Sequence, residues 1–524
     1  MIRIKIVGAD GKYVSRNEIV SLYASDMDYV PYMRKSTIDS DATINLEVPE
    51  GPVILHAKLN IPGFCYGMWI MSDNCGEGYG VDDEVNFIHD AAASRICEVE
   101  AILAEKEFTP SVKLSSMLRD AKSLLALSDN SVKAPVYNMM SLAAGMWAGE
   151  MAAVERAQKR IAVCGKRKNF KFGCNGFPYP FDGSGSRELW CSDIVDPQHK
   201  GIASMKENFE SVFNFATLPA YLKYLEPEYG HPDFSQIDRL QNAFEKAGIE
   251  TKIHPLWWTH SLGMPDWTHS LKWEDGSIKR EIDRTIHRTV NRYRGRVNYY
   301  DAINECHDWC NAYSLSQDQQ AEMTKFCCDA IHEADPDAQA IVNTCFMFGE
   351  NAADGRTQWG PAWERNLVPY SYIEKLEQIG AKFDVIGMQL YNPARDMLAI
   401  EKMYSRFDKF KHPIHLTELG IPSFPSEIRP DTTPGDIYCL EYMYWGIWHE
   451  MEWNERTQAD WVEQFYTVTY AHPSVEAIST WSFTDHGYVP GAGYLTENCE
   501  PKESFYRLKA LEKSWGFEFG KKGD

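Results

Sequence analysis

Asp301-Ala302-Ile303-Asn304-Glu305 is a short apolar run that ends in an amide and a carboxylate. Val297-Asn298-Tyr299-Tyr300 leads into it, and a polar segment bearing Cys and aromatic residues follows. The run reads as a buried strand. A carboxylate just past its last apolar residue stands at the strand's C-terminal mouth, where β/α barrels gather their reactive groups. A second stretch has the same form: Pro413-Ile414-His415-Leu416 leads into Thr417-Glu418-Leu419.

Outward from these two stretches, strand-like runs recur at 169–176, 212–217, 251–257, 297–304, 338–345, 383–389, 412–418 and 475–482. Helical periodicity falls between them at 234–248, 277–293, 316–334, 369–379 and 456–471. Eight β-runs, most followed by a helix, predict an α/β chain built on a (β/α)8 TIM barrel over 166–524. A doubly wound open sheet is the alternative, but no phosphate-cradling loop follows a strand. Asp182-Gly183-Ser184-Gly185-Ser186 opens no helix and reads as an ordinary loop.

Upstream, residues 1–75 read as short strands such as Ile2–Val7, Ile44–Val48 and Val53–Leu59, separated by Asp10-Gly11, Pro49-Glu50-Gly51 and Ile61-Pro62-Gly63. They predict a small β-sandwich-like accessory domain, either a binding module or a structural cap. The cap is favoured, because no sandwich face of aromatic residues can be picked out. From 76 to 165 the pattern turns helical, with Phe87–Leu103, Val112–Leu127 and Ser141–Ala162 forming a bridge that braces the barrel.

Composition narrows the function classes. The 524 residues exceed one ordinary domain and, at 44% hydrophobic, can bury a large core. The formal charge is −22 and no long basic run appears, which argues against nucleic acid. No apolar run approaches the roughly 20 residues of a membrane helix, so no membrane partner is expected. Met1–Val7 alternates like a strand and lacks the apolar core of a secretion signal. Thirteen Cys show no CxxC pair, and the cluster Cys306, Cys310, Cys327 and Cys328 lacks metal-ligand spacing, so no metal is expected. Thiols read as unpaired favour a cytoplasmic chain, a removed secretion signal being the other reading. Most of the 16 Trp and 27 Tyr read as core, with some left as flat apolar platforms.

On the barrel reading, polar and aromatic side chains fall together on strand ends. The third strand gives His254 and Trp258, the fourth Asn304 and Glu305, the sixth Gln389 and Tyr391, the seventh Glu418 and the eighth Trp481. One Glu at a strand end is ordinarily a surface residue. Two such carboxylates at one barrel mouth suit glycosidic cleavage, which needs a proton donor and an ionised partner.

The motifs resemble those of glycoside hydrolase family 10, in the retaining clan A of barrel glycosidases. Tyr300-Asp301-Ala302-Ile303-Asn304-Glu305 resembles that family's W-D-V-V-N-E strand, and Ile414-His415-Leu416-Thr417-Glu418-Leu419 its I-T-E-L-D strand. His254-Pro255-Leu256-Trp257-Trp258 with Pro265-Asp266-Trp267 resembles H-T-L-V-W-H…P-x-W. Trp481-Ser482-Phe483-Thr484-Asp485, with Tyr494-Leu495 and Pro501-Lys502, resembles the closing W-G-x-x-D…P-K segment. The resemblance covers about 169–515. It implies a retaining hydrolase of β-linked plant-type polysaccharide or oligosaccharide, β-1,4-xylan or a related β-glycan, working without a cofactor. It makes Glu305 the general acid/base and Glu418 the nucleophile. Asn304 would bind the sugar 2-hydroxyl and Gln389 would orient the nucleophile. His254, Trp258 and Trp481 would shape the −1 subsite.

Departures from the family bear on specificity. The sugar-gripping E-N-x-M-K-W is Pro219-Ala220-Tyr221-Leu222-Lys223-Tyr224 here, with Lys223 as its surviving substrate-binding residue. Tyr391 stands where a His is expected and still offers the nucleophile a hydrogen bond, and Gly420 replaces the Asp after E-L. Two alternatives follow: an exo-acting clan A β-glycosidase of other specificity, and an inactive carbohydrate-binding barrel. For the N-terminal domain, the binding-module reading becomes carbohydrate binding. His307-Asp308 reads as a solvated loop, Glu401-Lys402 and Lys409 with Lys411 as charges on solvated helix faces. Gly420–Glu455 reads equally as a cleft wall or a barrel cap.

Overall fold

Alternation decides the first strand: Ile2 and Ile4 are buried in β1 (Ile2–Lys5) while Arg3 and Lys5 face water. This computed structural model describes residues 1–13, 22–33, 35–106, 108–129, 131–181, 202–308, 311–353, 356–357, 360–361, 367–391, 394–423, 447–448, 454–487, 489 and 491–520. With β3 (Ser36–Ile38), β4 (Ile44–Leu46) and β7 (Glu84–Asn86), β1 forms a sheet of order β3-β4-β1-β7. The second sheet holds β2 (Leu22–Ser25), β5 (Ile54–Ile61), β6 (Cys65–Ser72) and β17 (Ile447–Trp448), in the order β17-β6-β5-β2. The N-terminal sheets therefore borrow strands from beyond residue 75, one of them from the segment after the seventh barrel strand.

Three helices follow: α1 (Phe87–Leu103), α2 (Val112–Ser128) and α3 (Ala134–Cys164). α3 starts earlier than the periodicity indicated, because Pro135 suits a helix's first turn, where its missing N–H is no loss. It touches both neighbours. Trp147 Nε1 donates to the Gly63 carbonyl at 2.7 Å, and Arg156 and Arg160 each reach Glu401 at 2.6 Å.

That contact corrects one expectation. Glu401 is not on a solvated face; its side chain is 3% exposed, and Lys402 beside it pairs with Glu98 of α1 at 2.5 Å. The helix carrying them, Met397–Phe407, turns its charges toward the helical bridge. The thiol reading is corrected too. Cys75 and Cys97 form a disulfide that ties the end of the N-terminal sheets to α1, which removes the argument for a reducing compartment.

The barrel consists of β8 (Lys171–Asn175), β9 (Phe215–Pro219), β10 (Glu250–His254), β11 (Tyr299–Asn304), β12 (Gln339–Thr344), β15 (Val385–Tyr391), β16 (Ile414–Gly420) and β18 (Val475–Thr480). A small hairpin, β13 (Arg356–Thr357) and β14 (Gly360–Pro361), interrupts the numbering. The eight strands close in the order β10-β11-β12-β15-β16-β18-β8-β9, every pair parallel. This is the expected (β/α)8 architecture. Covered by helices outside and packed side chains inside, the strands are buried along nearly their whole length, so they read as continuous apolar runs rather than alternating ones.

The outer helices show their amphipathic stripe plainly. In Ser277–Tyr293 the buried residues are Ile278, Ile282, Thr285, Ile286, Thr289, Val290 and Tyr293, one face at helical spacing. Gln317–Ala334 starts at a capping box made by Ser316 and Gln319. None of the described helices is long and apolar enough to cross a membrane. Asp182–Ser186 and most of Gly420–Glu455 lie outside the described residues.

Candidate active site

Each carboxylate is aimed by an irregularity in its strand. The β11–β12 register shifts between Asp301 and Ile303, and Glu305 just past β11 has φ +54°. Its backbone N–H is held by the Asn343 carbonyl at 3.0 Å. A non-glycine residue in the left-handed region persists only where its surroundings enforce it, and such residues cluster at functional sites. Around Glu418 the register shifts twice, against β15 at Met388/Gln389 and against β18 between Leu416 and Leu419. Bulges of this kind re-aim side chains at barrel rims.

The two carboxylates meet at one amide. Gln389 Nε2 lies 2.7 Å from Glu305 Oε1 and 3.0 Å from Glu418 Oε1. Two oxygens that close to one nitrogen are under about 6 Å from each other, near the separation of about 5–5.5 Å in retaining glycosidases and short of the inverting range. Both side chains are buried, Glu305 at 7% and Glu418 at 5% exposure. Glu418 accepts two more hydrogen bonds, from Asn343 Nδ2 at 2.9 Å and from the Tyr391 hydroxyl at 2.5 Å. Glu305 accepts from Trp258 Nε1 at 3.2 Å.

A second layer fixes these groups. Asn343 Nδ2 also donates to Asn304 Oδ1 at 2.7 Å, and Thr417 Oγ1 donates to Asn343 Oδ1 at 2.5 Å. His254 Nε2 stands 3.9 Å from Glu418 Oε1, and its Nδ1 bonds Asp301 Oδ2 at 2.6 Å. Lys252 Nζ meets the same Asp301 oxygen at 2.6 Å, so a fully buried Asp joins two bases beneath the nucleophile candidate. Trp481 packs edge-on against His254 with ring centroids 5.1 Å apart, and Tyr221 contacts both His254 and Trp258 at 5.6 Å.

Electrostatics follow from that packing. Burial pushes Glu418 up to about 7, and the Glu305 charge adds to the effect. The charges of His254 and Lys252 and the Tyr391 hydrogen bond pull the other way. Burial also works to raise Asp301, but the Lys252 charge and its bonds to His254 and Lys252 outweigh it, and its carboxyl is lowered. Two buried carboxyls sharing one amide cannot both ionise freely, so the pair holds one proton near neutral pH.

Of the residues singled out from the sequence, Asn304, Glu305, His254, Trp258, Gln389, Tyr391, Glu418 and Trp481 are brought together. Lys223 is not at the carboxylates; its ammonium donates to the Ser261 carbonyl at 3.2 Å, beside His260. Sequence reasoning passed over Asn343, Asp301, Lys252 and Tyr221 as functional side chains. Asn343 carries the same signal as Asn304, an amide closing an apolar strand in Ile341-Val342-Asn343. His307-Asp308 is corrected: both are buried, not solvated. His307 Nδ1 donates to the Leu367 carbonyl at 2.7 Å and its Nε2 accepts from the Cys345 N–H, while burial pushes it down to about 4. It is a neutral strut for the loop after Glu305.

A closed β/α barrel with two buried, amide-linked glutamates at its mouth defines a glycoside hydrolase. The profile of glycosyl hydrolase family 10 matches residues 192–510, and the chain belongs to that family. Among relatives, endo-1,4-beta-xylanase 1 of Arabidopsis thaliana is 24% identical over 310 residues, 58% of this chain and 28% of that protein. Endo-1,4-beta-xylanase B of Thermotoga neapolitana is 24% identical over 315 residues, 57% of this chain and 80% of that protein. The match therefore spans well under half of the first relative's length. A solved GH10 structure from Paenibacillus barcinonensis aligns at 17% identity with a TM-score of 0.48, over 68% of this chain and 97% of that one.

Proposed function

We propose that the chain is a retaining β-glycosidase cleaving β-1,4-xylan or a related β-glycan by double displacement. Glu418 attacks the anomeric carbon, and Glu305 protonates the leaving oxygen and then activates water. The observation that carries this reading is the single Gln389 nitrogen 2.7 and 3.0 Å from the two carboxylates, which supports the short separation a retaining pair needs. Role assignment follows the donors. Glu418 accepts from Asn343, Gln389 and Tyr391, which favours its ionised form. In the reactive form the shared proton sits on Glu305, with Glu418 ionised to attack. Once Glu418 is esterified its charge is gone, and Glu305 is released to act as base. Asn304 is the candidate for the sugar 2-hydroxyl, and Trp258, Trp481 and Tyr221 supply the ring walls of the −1 subsite.

The relatives named endo-1,4-beta-xylanase support xylan as the substrate class. A second reading, exo action or another β-glycan, draws on Lys223, whose ammonium is turned to the Ser261 carbonyl rather than to the carboxylates. In both readings residues 1–75 and 76–165 act as cap and brace for the barrel at 166–524. The test is hydrolysis of aryl β-xylosides, xylobiosides, cellobiosides and glucosides, with the product anomer followed by proton NMR. Retention of configuration, loss of turnover in Glu418→Ala, and survival in Glu305→Ala of substrates with good leaving groups alone are expected. An inverted product, or normal turnover by Glu418→Ala, would overturn the assignment.

A further inference from the structure

Away from the barrel mouth, a cavity of about 40 Å³ lies between the second N-terminal sheet and the barrel helix Met397–Phe407. That is room for two or three waters or one small tetrahedral ion. Its walls include Tyr29, His56 and Trp69 on one side and Phe348, Arg395 and Arg406 on the other. Four basic residues line it, Arg95, Arg395, Lys402 and Arg406, against two acidic ones, Glu98 and Asp396.

Both acids are committed. Asp396 takes Arg95 through two bonds of 3.0 and 2.8 Å, and Glu98 takes Lys402 at 2.5 Å and Arg95 at 3.3 Å. Arg406 has no carboxylate within 4 Å among the described residues. Its guanidinium rests on the Tyr29, Tyr370 and Phe407 rings; among the described residues its polar contact is a 3.5 Å approach to the Met347 carbonyl, and its buried Nε has no acceptor. Asp26 acts on Arg406 only through its charge, beyond ion-pair distance, and its Oδ1 is taken by the Asp28 and Val30 N–H groups. A desolvated guanidinium without an anion is costly, and burial accordingly pushes Arg406 down to about 10.

The facing wall offers the opposite polarity. His56 is 4% exposed, stacked on Tyr23, with Nε2 2.9 Å from Ser25 Oγ. With Ser25 donating to the Asp26 carbonyl at 2.9 Å, His56 Nε2 takes the donor role toward Ser25 and Nδ1 is left a bare lone pair, the tautomer we assign here. That Nδ1 is buried and has no partner among the described residues. The positive charges of Arg395, Arg406 and Lys402, added to burial, hold the ring neutral.

A ligand for this cavity must present acceptor oxygens to Arg406 and a donor hydroxyl to His56 Nδ1. We propose that the cavity is a binding site for a small oxyanion carrying a hydroxyl, of the hydrogen-phosphate class, clamped between His56 of the N-terminal sheet and Arg406 of the barrel. Sulfate and acetate match its charge but bring no proton for Nδ1. A phosphate monoester, whose second pKa is about 6, is largely without a proton at pH 7. The ion would brace the segment in which the Ala394 carbonyl accepts the Trp69 N–H at 3.1 Å, just past Tyr391 of the catalytic candidate set.

The test is equilibrium dialysis of the full chain at pH 7 and fixed ionic strength with radiolabelled inorganic phosphate, competed by sulfate, acetate and phenyl phosphate. One saturable phosphate per chain is expected, with each competitor at least tenfold weaker. Arg406→Met should lower phosphate affinity at least tenfold with circular dichroism unchanged. His56→Phe should reduce phosphate to the level of sulfate, and serves alone if Arg406→Met does not fold. Absence of saturable binding, or binding indifferent to both substitutions, would overturn the site. Equal affinity for phosphate and sulfate would overturn the role of the hydroxyl, and tight phenyl phosphate binding would move the ligand to the ester class.

Discussion

Gly420→Ala probes how the nucleophile candidate is held. Gly420 closes β16, and a Cβ built on it would stand 2.8 Å from Tyr391 Cδ1 and 3.2 Å from Val489 Cγ2. Ordinary carbon contacts begin near 3.5 Å, so the Tyr391 ring must shift by roughly 0.7 Å from its seat against Glu418. The Tyr391–Glu418 hydrogen bond, 2.5 Å long and with both side chains buried, would be stretched or broken. A hydrogen bond to a charged group is worth about 1.5–3 kcal/mol. If it is made by the attacking carboxylate, its loss lowers kcat/KM by about 10- to 150-fold. Tyr391→Phe removes the same bond without the clash, so the two substitutions should cost about the same, and the double variant little more than either. The phenol favours the ionised carboxylate, so losing it raises the Glu418 pKa and moves the acid limb of the kcat/KM profile to higher pH. Steady-state kinetics on an aryl β-xylobioside across pH 4–8 would read both effects. Gly420→Ala within twofold of the parent, beside a Tyr391→Phe loss of tenfold or more, would refute the claim that this glycine seats the tyrosine.

Stability should vary with pH through Glu418. Its folded pKa, about 7 against an ordinary 4.5, means that the folded state binds the extra proton between those values. Its contribution is full below about pH 4.5 and is lost as pH rises through 7, on the order of 3 kcal/mol; Glu418→Gln should flatten that dependence and raise stability at neutral pH in urea titrations. Asp301→Asn leaves Lys252 and His254 buried without their shared carboxylate, and should cost about 3–5 kcal/mol in the same assay, with retention of full stability counting against the network. Glu401→Gln removes the partner of Arg156 and Arg160; with Arg160 part exposed, about 1–3 kcal/mol is expected, together with earlier protease cleavage between α3 and the barrel.

The strands were legible because a barrel strand is buried on both sides, so its apolar run survives in the chain as an uninterrupted word, and the polar residue closing it marks the mouth. Asn304-Glu305, Gln389 and Thr417-Glu418 could be picked out on that ground alone. The sequence by itself thus determined the eight-stranded barrel, its preceding sheets and helices, and the two carboxylates at strand ends. It could not determine what faces what. Asn343 became a partner of Glu418 only when β12 closed next to β11 and the β16 bulge swung Thr417 and Glu418 toward it. His307-Asp308 and Glu401-Lys402 carry the composition of solvated segments, and their burial comes from elements hundreds of residues away or from a loop that folds over them. Cys75 and Cys97 were a pair only once α1 had returned along the sheet. The cavity at His56 and Arg406 exists solely because two separately folded surfaces leave a gap. Local pattern records what one segment needs; charge compensation and orientation are properties of pairs, and those pairs are made by the tertiary fold.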